Sequence, residues 1–129
     1  MKNILNISIL LTVPFLMIFA QDNKNAEKAD KYYQKKGYGK YTEALGKEDI
    51  IDLNPETLLK MAESYRKTGD TKNAEEIYAI LVEANSSAIV HFYYAQMLHA
   101  NGKYRAAKKE YLFYDGHLKK EGSTDDQRA

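Results

Sequence analysis

The chain has 129 residues, with no cysteine, no tryptophan, two prolines and almost no net charge. Each shortage excludes something. Without Cys there is no disulfide framework, no thiolate metal site, no cysteine nucleophile and no lipidated N-terminal Cys. The lack of Cys suits an oxidising compartment without proving one. Lys and Arg number 19 against 18 Asp and Glu, so no whole-chain field draws in nucleic acid or an anionic membrane. Nucleic-acid binding is therefore disfavoured. The length suggests one domain. What the chain does have is tyrosine: 11 of them, all beyond residue 31. Tyr supplies large apolar area and one hydroxyl that needs water or a partner. With so much Ala and Leu beside it, this composition points to packed helices with wet edges.

Only one long apolar run is present, and it comes first. Lys2 gives a short positive start, Ile4 to Phe19 is almost wholly apolar around Pro14, and Ala20 precedes the polar stretch Gln21-Asp22-Asn23-Lys24. This is the layout of a secretory signal peptide over residues 1–20. The run is short for a membrane span, which needs about 20 apolar residues. An uncleaved anchor is the alternative. Ile18 stands where a small residue usually precedes the cut, so the cleavage point stays open.

The rest of the chain repeats itself. At an offset of 33 residues, Ala62 maps onto Ala95, Tyr65 onto Leu98, Gly69 onto Gly102, Ala74 onto Ala107 and Tyr78 onto Tyr111. Each unit reads as two helices around a tight turn. Asn54 and Pro55 start the first helix, and Leu58, Met61, Ala62 and Tyr65 form its apolar stripe. Gly69-Asp70 stops it, since Gly takes the left-handed conformation that ends a helix. Thr71 is the expected cap of the next helix, whose stripe is Ala74, Ile77, Tyr78 and Leu81. After the break at Asn85-Ser86-Ser87, a third helix carries Ile89, Phe92, Tyr94, Ala95 and Leu98 and ends at Asn101-Gly102. A fourth carries Tyr104, Ala107, Tyr111, Tyr114 and Leu118. The alanines are expected where the two helices of a unit cross closely. Residues 26–53 read as a degenerate first unit. Ala29 and Tyr32 keep the register, but the second helix is expected to slip by about three residues, placing Ala44 at the small position with Leu45, Ile50, Ile51 and Leu53 on its apolar face.

Chemistry is hard to find. His91, His99 and His117 lack the spacing of helical metal ligands. No phosphate loop, nucleophile elbow or H-E-x-x-H motif occurs. Glu63, Glu75, Glu76 and Asp115 are read as solvated carboxylates, not a catalytic pair. No enzyme activity, metal or cofactor is expected. Lys103, Arg105, Lys108 and Lys109 form a basic strip, read as a solvated outer face or as a contact for acidic envelope polymer or phospholipid head groups.

The small–x2–aromatic pattern of the first helix and the Ala–x3–aromatic pattern of the second resemble the tetratricopeptide repeat (TPR). Residues 55–87 and 88–118 fit it, although Leu58 and His91 stand where the family has Trp and the terminal Pro is missing. The resemblance implies an all-α solenoid of antiparallel helix pairs over residues 21–118. It also implies a non-catalytic scaffold that binds another protein along an inner face. That face would carry Glu56, Leu59, Glu63 and Arg66 in one unit and Ile89, Phe92, Gln96 and His99 in the next. Phe92 and Ile89 are read either as a contact patch or as part of the seam between repeats. The clamp of TPRs that capture C-terminal carboxylates is absent, which disfavours chaperone tails. Tyr111, Tyr114 and Leu118 should face onward at the C-terminal end, as a surface for further chain, self-association or a partner. A polar disordered tail is expected over residues 119–129. The stretches "KYYQKKGY", "AESYRKTGD" and "YAQMLHANGKY" behind the leader also resemble the N-terminal region of Bacteroidetes TPR–OmpA-type outer-membrane proteins. The implied setting is the periplasm or outer membrane of a Gram-negative bacterium. There the chain is an adaptor or, alternatively, the structural spacer of a peptidoglycan-anchored protein; a fragment and a free-standing relative both fit.

Overall fold

The computed structural model describes residues 24–46, 50, 53–84 and 87–126. The expected signal peptide lies outside the described residues. Among those described the chain is all helical: α1 over residues 24–34, α2 Tyr38–Leu45, α3 Pro55–Thr68, α4 Thr71–Glu83, α5 Ala88–Ala100 and α6 Tyr104–Asp126. None of these helices is long and apolar enough to cross a membrane. The chain divides after Lys47 into two compact units.

The 33-residue register is visible in how helices stop and start. α3 ends with Gly69 at φ 83°. The Gly69 N–H donates to the Arg66 carbonyl at 3.3 Å and the Asp70 N–H to the Tyr65 carbonyl at 2.9 Å. α5 ends the same way: Gly102 at φ 79°, Gly102 N–H to His99 O at 3.0 Å and Lys103 N–H to Leu98 O at 2.8 Å. α1 repeats the closure without glycine. Lys36 takes φ 58°, its N–H reaches Tyr33 O at 2.9 Å, and the Gly37 N–H reaches Tyr32 O at 2.8 Å. The left-handed residues are 36, 69 and 102, and the helices that follow begin at 38, 71 and 104. This pair of bonds satisfies carbonyls that the last helical turn leaves open.

In the first unit the register corrects the expected slip. α2 starts at Tyr38, in step with Thr71 and Tyr104. Its buried residues are Tyr41 and Leu45, each 1 % exposed, while Ala44 is half-buried. Tyr41 therefore takes the position of Ala74, and Leu45 that of Tyr78. A large ring fills the small position, so a search for Ala misplaces the helix. Tyr33 packs against the Tyr41 ring at 5.3 Å and the Tyr38 ring at 5.7 Å. Ile50 and Leu53 are half-buried but lie beyond α2; Ile51 is outside the described residues.

In the second unit α3 begins as expected. Asn54 Oδ1 accepts the Thr57 N–H at 3.0 Å, and Pro55 holds the first helical position. The cap of α4 is Asp70, not Thr71: its carboxylate accepts from the Asn73 backbone at 3.3 Å and the Asn73 side-chain amide at 2.7 Å. Asp70 precedes the first helical residue, so its carboxylate reaches free N–H groups that Thr71 inside the helix would not. Ala62, Ala74 and Ala95 are fully buried and Ala107 nearly so, as the close-crossing reading requires. Ile77, Tyr78 and Leu81 complete the α4 core face. Along α5 the buried positions are Val90, His91, Ala95, Met97 and Leu98, whereas Ile89 is exposed and Phe92 and Tyr94 are half-buried. α6 runs past Leu118 to Asp126, where a disordered tail was expected from Lys119. Pairs one turn apart support that extension: Lys119–Asp115 at 2.7 Å and His117–Glu121 at 3.3 Å.

Candidate protein-docking surfaces

The seam between α4 and α5 shows how this fold joins one helix pair to the next helix. The Thr71 hydroxyl donates to Asn101 Oδ1 at 2.6 Å. The Asn101 amide donates to the Thr71 carbonyl at 3.0 Å and to Glu75 Oε2 at 2.7 Å. Lys103 closes the set on Glu75 Oε1. Burial pushes the Glu75 carboxyl up, but the hydrogen bonds from Lys103 and Asn101 outweigh it and hold the group below the ordinary carboxylate range. Further along the seam the Arg66 guanidinium lies 4.4 Å above the Tyr93 ring. The Tyr78 ring stands 6.0 Å from Tyr93, and burial pushes its phenol up with Arg66 opposing.

Against this frame the expected inner face divides. Leu59 and Ile89 are each 40 % exposed. Glu56 is exposed and pairs with Lys60 at 3.0 Å. Glu63 stands 4.0 Å from Arg66, and Gln96 is half-buried. Arg66 is not displayed for a ligand: its side chain is 20 % exposed and engaged with Tyr93. Phe92 is half-buried and its ring meets the edge of the seam residue Tyr93 at 5.8 Å. It packs within its own helix pair, 5.8 Å from Tyr111 and 5.2 Å from Tyr114.

That contact also changes the expected C-terminal face. Tyr111 and Tyr114 are half-buried beside Phe92, and only Leu118 stays open, at 46 %. The exposed apolar surface of α6 is instead Tyr104, Leu112 and Phe113, at 65, 60 and 53 %. An open cleft of about 410 Å³ runs along it, lined from α5 by His99 and from α6 by Tyr104, Ala107, Lys108, Tyr111, Leu112 and Asp115. Sequence reasoning missed Leu112 because its counterpart at the 33-residue offset is the unremarkable Ala79. The pattern 104, 107, 108, 111, 112, 115 is nonetheless one helix face. Phe113 stacks on His91 at 4.0 Å, and His91 Nδ1 is 2.7 Å from Glu110 Oε2.

The basic strip divides: Lys103, Arg105 and Lys109 line one shallow groove, with Lys103 also held by Glu75, and Lys108 lines the cleft. Of the carboxylates weighed as catalytic, Glu63 stands beside Arg66 and Asp115 pairs with Lys119, while Glu75 and Glu76 line one shallow pocket with Lys72, Asn101 and Lys103. Among the described residues no three His, Asp or Glu side chains converge on a common point for a metal. Comparisons of the chain with protein-family models, with curated proteins and with solved structures gave no match.

Proposed function

We propose that the chain is a TPR-type helical-repeat scaffold, exported to the cell envelope, that holds another protein and catalyses no reaction. The observation that carries this reading is the left-handed closure at 36, 69 and 102, each followed two residues later by a new helix. Helix pairs repeated in constant register build extended surfaces rather than enclosed clefts, and such surfaces serve recognition. Leu59 and Ile89 are the exposed apolar residues that the expected inner face offers a partner. Export rests on the N-terminal layout of residues 1–20.

The test joins compartment and recognition. Blotting of fractionated native cells should place the protein in the envelope or periplasm. Crosslinking in those cells should then yield a defined partner, lost in the Leu59→Glu/Ile89→Glu double variant. Because both residues are exposed, the melting temperature should hold. Unchanged crosslinking in the double variant would favour a spacer, and a cytoplasmic protein would remove the envelope assignment.

A further inference from the structure

The two helix pairs of the second unit share one register but differ in what covers them. Every residue lining the α6 cleft has a counterpart 33 positions earlier. His99 corresponds to Arg66, Tyr104 to Thr71, Lys108 to Glu75 and Tyr111 to Tyr78. Those four earlier residues all touch α5 or the turn after it. Arg66 and Tyr78 meet the Tyr93 ring, Thr71 meets Asn101, and Glu75 meets Asn101 and Lys103. The cleft is thus the open copy of a surface whose occupant, one pair earlier, is a helix.

We infer that the α6 cleft receives a helix and the turn that ends it from another protein, with an aromatic residue on the helix and, about ten positions later and just past the turn, a carboxylate, as Tyr93 and Lys103 stand on either side of Gly102. The chemistry follows from the substitutions between the two copies. Tyr93 packs against both Arg66 and Tyr78; an aromatic side chain in its place would meet His99 and Tyr111. Lys103, ten residues after Tyr93, answers the acidic Glu75. The copy at α6 presents Lys108 instead, so the answering charge reverses. Leu112 for Ala79 adds apolar area. Neither first helix of this unit meets both requirements. α5 has Tyr93 but brings Lys103 against Lys108. α3 has Asp70 at the charged position but Lys60 at the aromatic one. The Tyr111 and Glu121 pair, also ten apart, lies on the unbroken helix α6 with no turn between them, so α3, α5 and α6 of a second copy are poor occupants.

This inference rests on the scaffold reading and is tested apart from it. The probe is a synthetic peptide of residues 54–71 with Lys60→Tyr, which keeps the Asn54 cap, the Gly69 stop and Asp70. Added to the isotope-labelled full chain, it should shift the amide resonances of Tyr104, Lys108 and Leu112. A peptide with the further change Asp70→Lys should bind about tenfold more weakly, the scale of one desolvated charge contact. Lys108→Glu in the protein should reverse that order. Because isolated helices of this length are marginal, a side-chain-stapled version of each peptide is run in parallel. No shift at α6 with the stapled peptides, or no reversal with Lys108→Glu, would overturn the inference while leaving the Leu59/Ile89 result standing. Self-association of the protein alone, abolished by Leu112→Glu, would also overturn it, in favour of a second copy.

Discussion

α4 and α6 occupy equivalent places in successive helix pairs, yet one is a core helix and the other an edge. On α4 five residues are buried, among them Tyr78 at 1 % exposure. On α6 Ala107 is the buried residue among those described, and Tyr111 at the Tyr78 position is only half-buried. The two stripes share Ala74/Ala107 and Tyr78/Tyr111, although Glu110 stands at the place of Ile77 and Tyr114 at that of Leu81. The neighbours differ as well: α4 has helices packed on two sides, α3 and α5, and α6 packs on α5. Equivalent residues should therefore carry unequal energy.

The largest expected effect tests that inequality. Tyr78→Ala should cost about 3–5 kcal/mol, the range for removing a buried aromatic ring. Tyr111→Ala should cost less than half as much in the same urea titration. Equal losses would mean that the α6 face is covered in solution. Next comes overpacking. Ala74→Leu should cost about 1–3 kcal/mol because both sides of α4 are filled. Ala107→Leu, beside the open cleft, should cost visibly less.

Backbone closures sharpen the comparison in a different way, because they should not depend on the neighbour. A Cβ added at Gly69 or Gly102 meets nothing within 4 Å, so the penalty there is conformational alone. Gly69→Ala and Gly102→Ala should each cost about 1 kcal/mol. Lys36→Gly should gain a similar amount, read as slower amide exchange in α1 and α2. The smallest effect belongs to the seam. Because the Glu75 carboxyl is held below its ordinary value of 4.5 when folded, its contribution is complete above that value. It is lost as pH falls through the lower folded value. Glu75→Gln should flatten the acid side of the stability profile, and Lys108→Gln should leave it intact.

The helix starts at Asn54–Pro55 and the stops at Gly69 and Gly102 were readable because capping and left-handed turns are local demands on residue type. The stripe Ala74, Ile77, Tyr78, Leu81 was readable because α4 is covered broadly enough for periodicity to speak. Reading failed where a neighbour decided. Tyr41 at the place of Ala74 puts a large buried ring where the other unit has its small residue, which breaks the motif that the sequence reading relied on. Phe92 matches an inner-face position by register, but its ring is drawn to Tyr111 and Tyr114 within its own pair. His91 is buried, and Glu110 and Phe113 reach it only by arriving from α6.

The sequence by itself determined the helical class, the 33-residue register and the points where the chain turns, because these follow from hydrophobic period and from backbone geometry within a few residues. Only the tertiary structure decided which tyrosines are enclosed, how Asn101, Glu75 and Lys103 clasp one another, and which apolar stripe was left bare. Those outcomes depend on the presence or absence of an adjacent helix, and a stripe of residues looks the same in sequence whether or not a neighbour covers it.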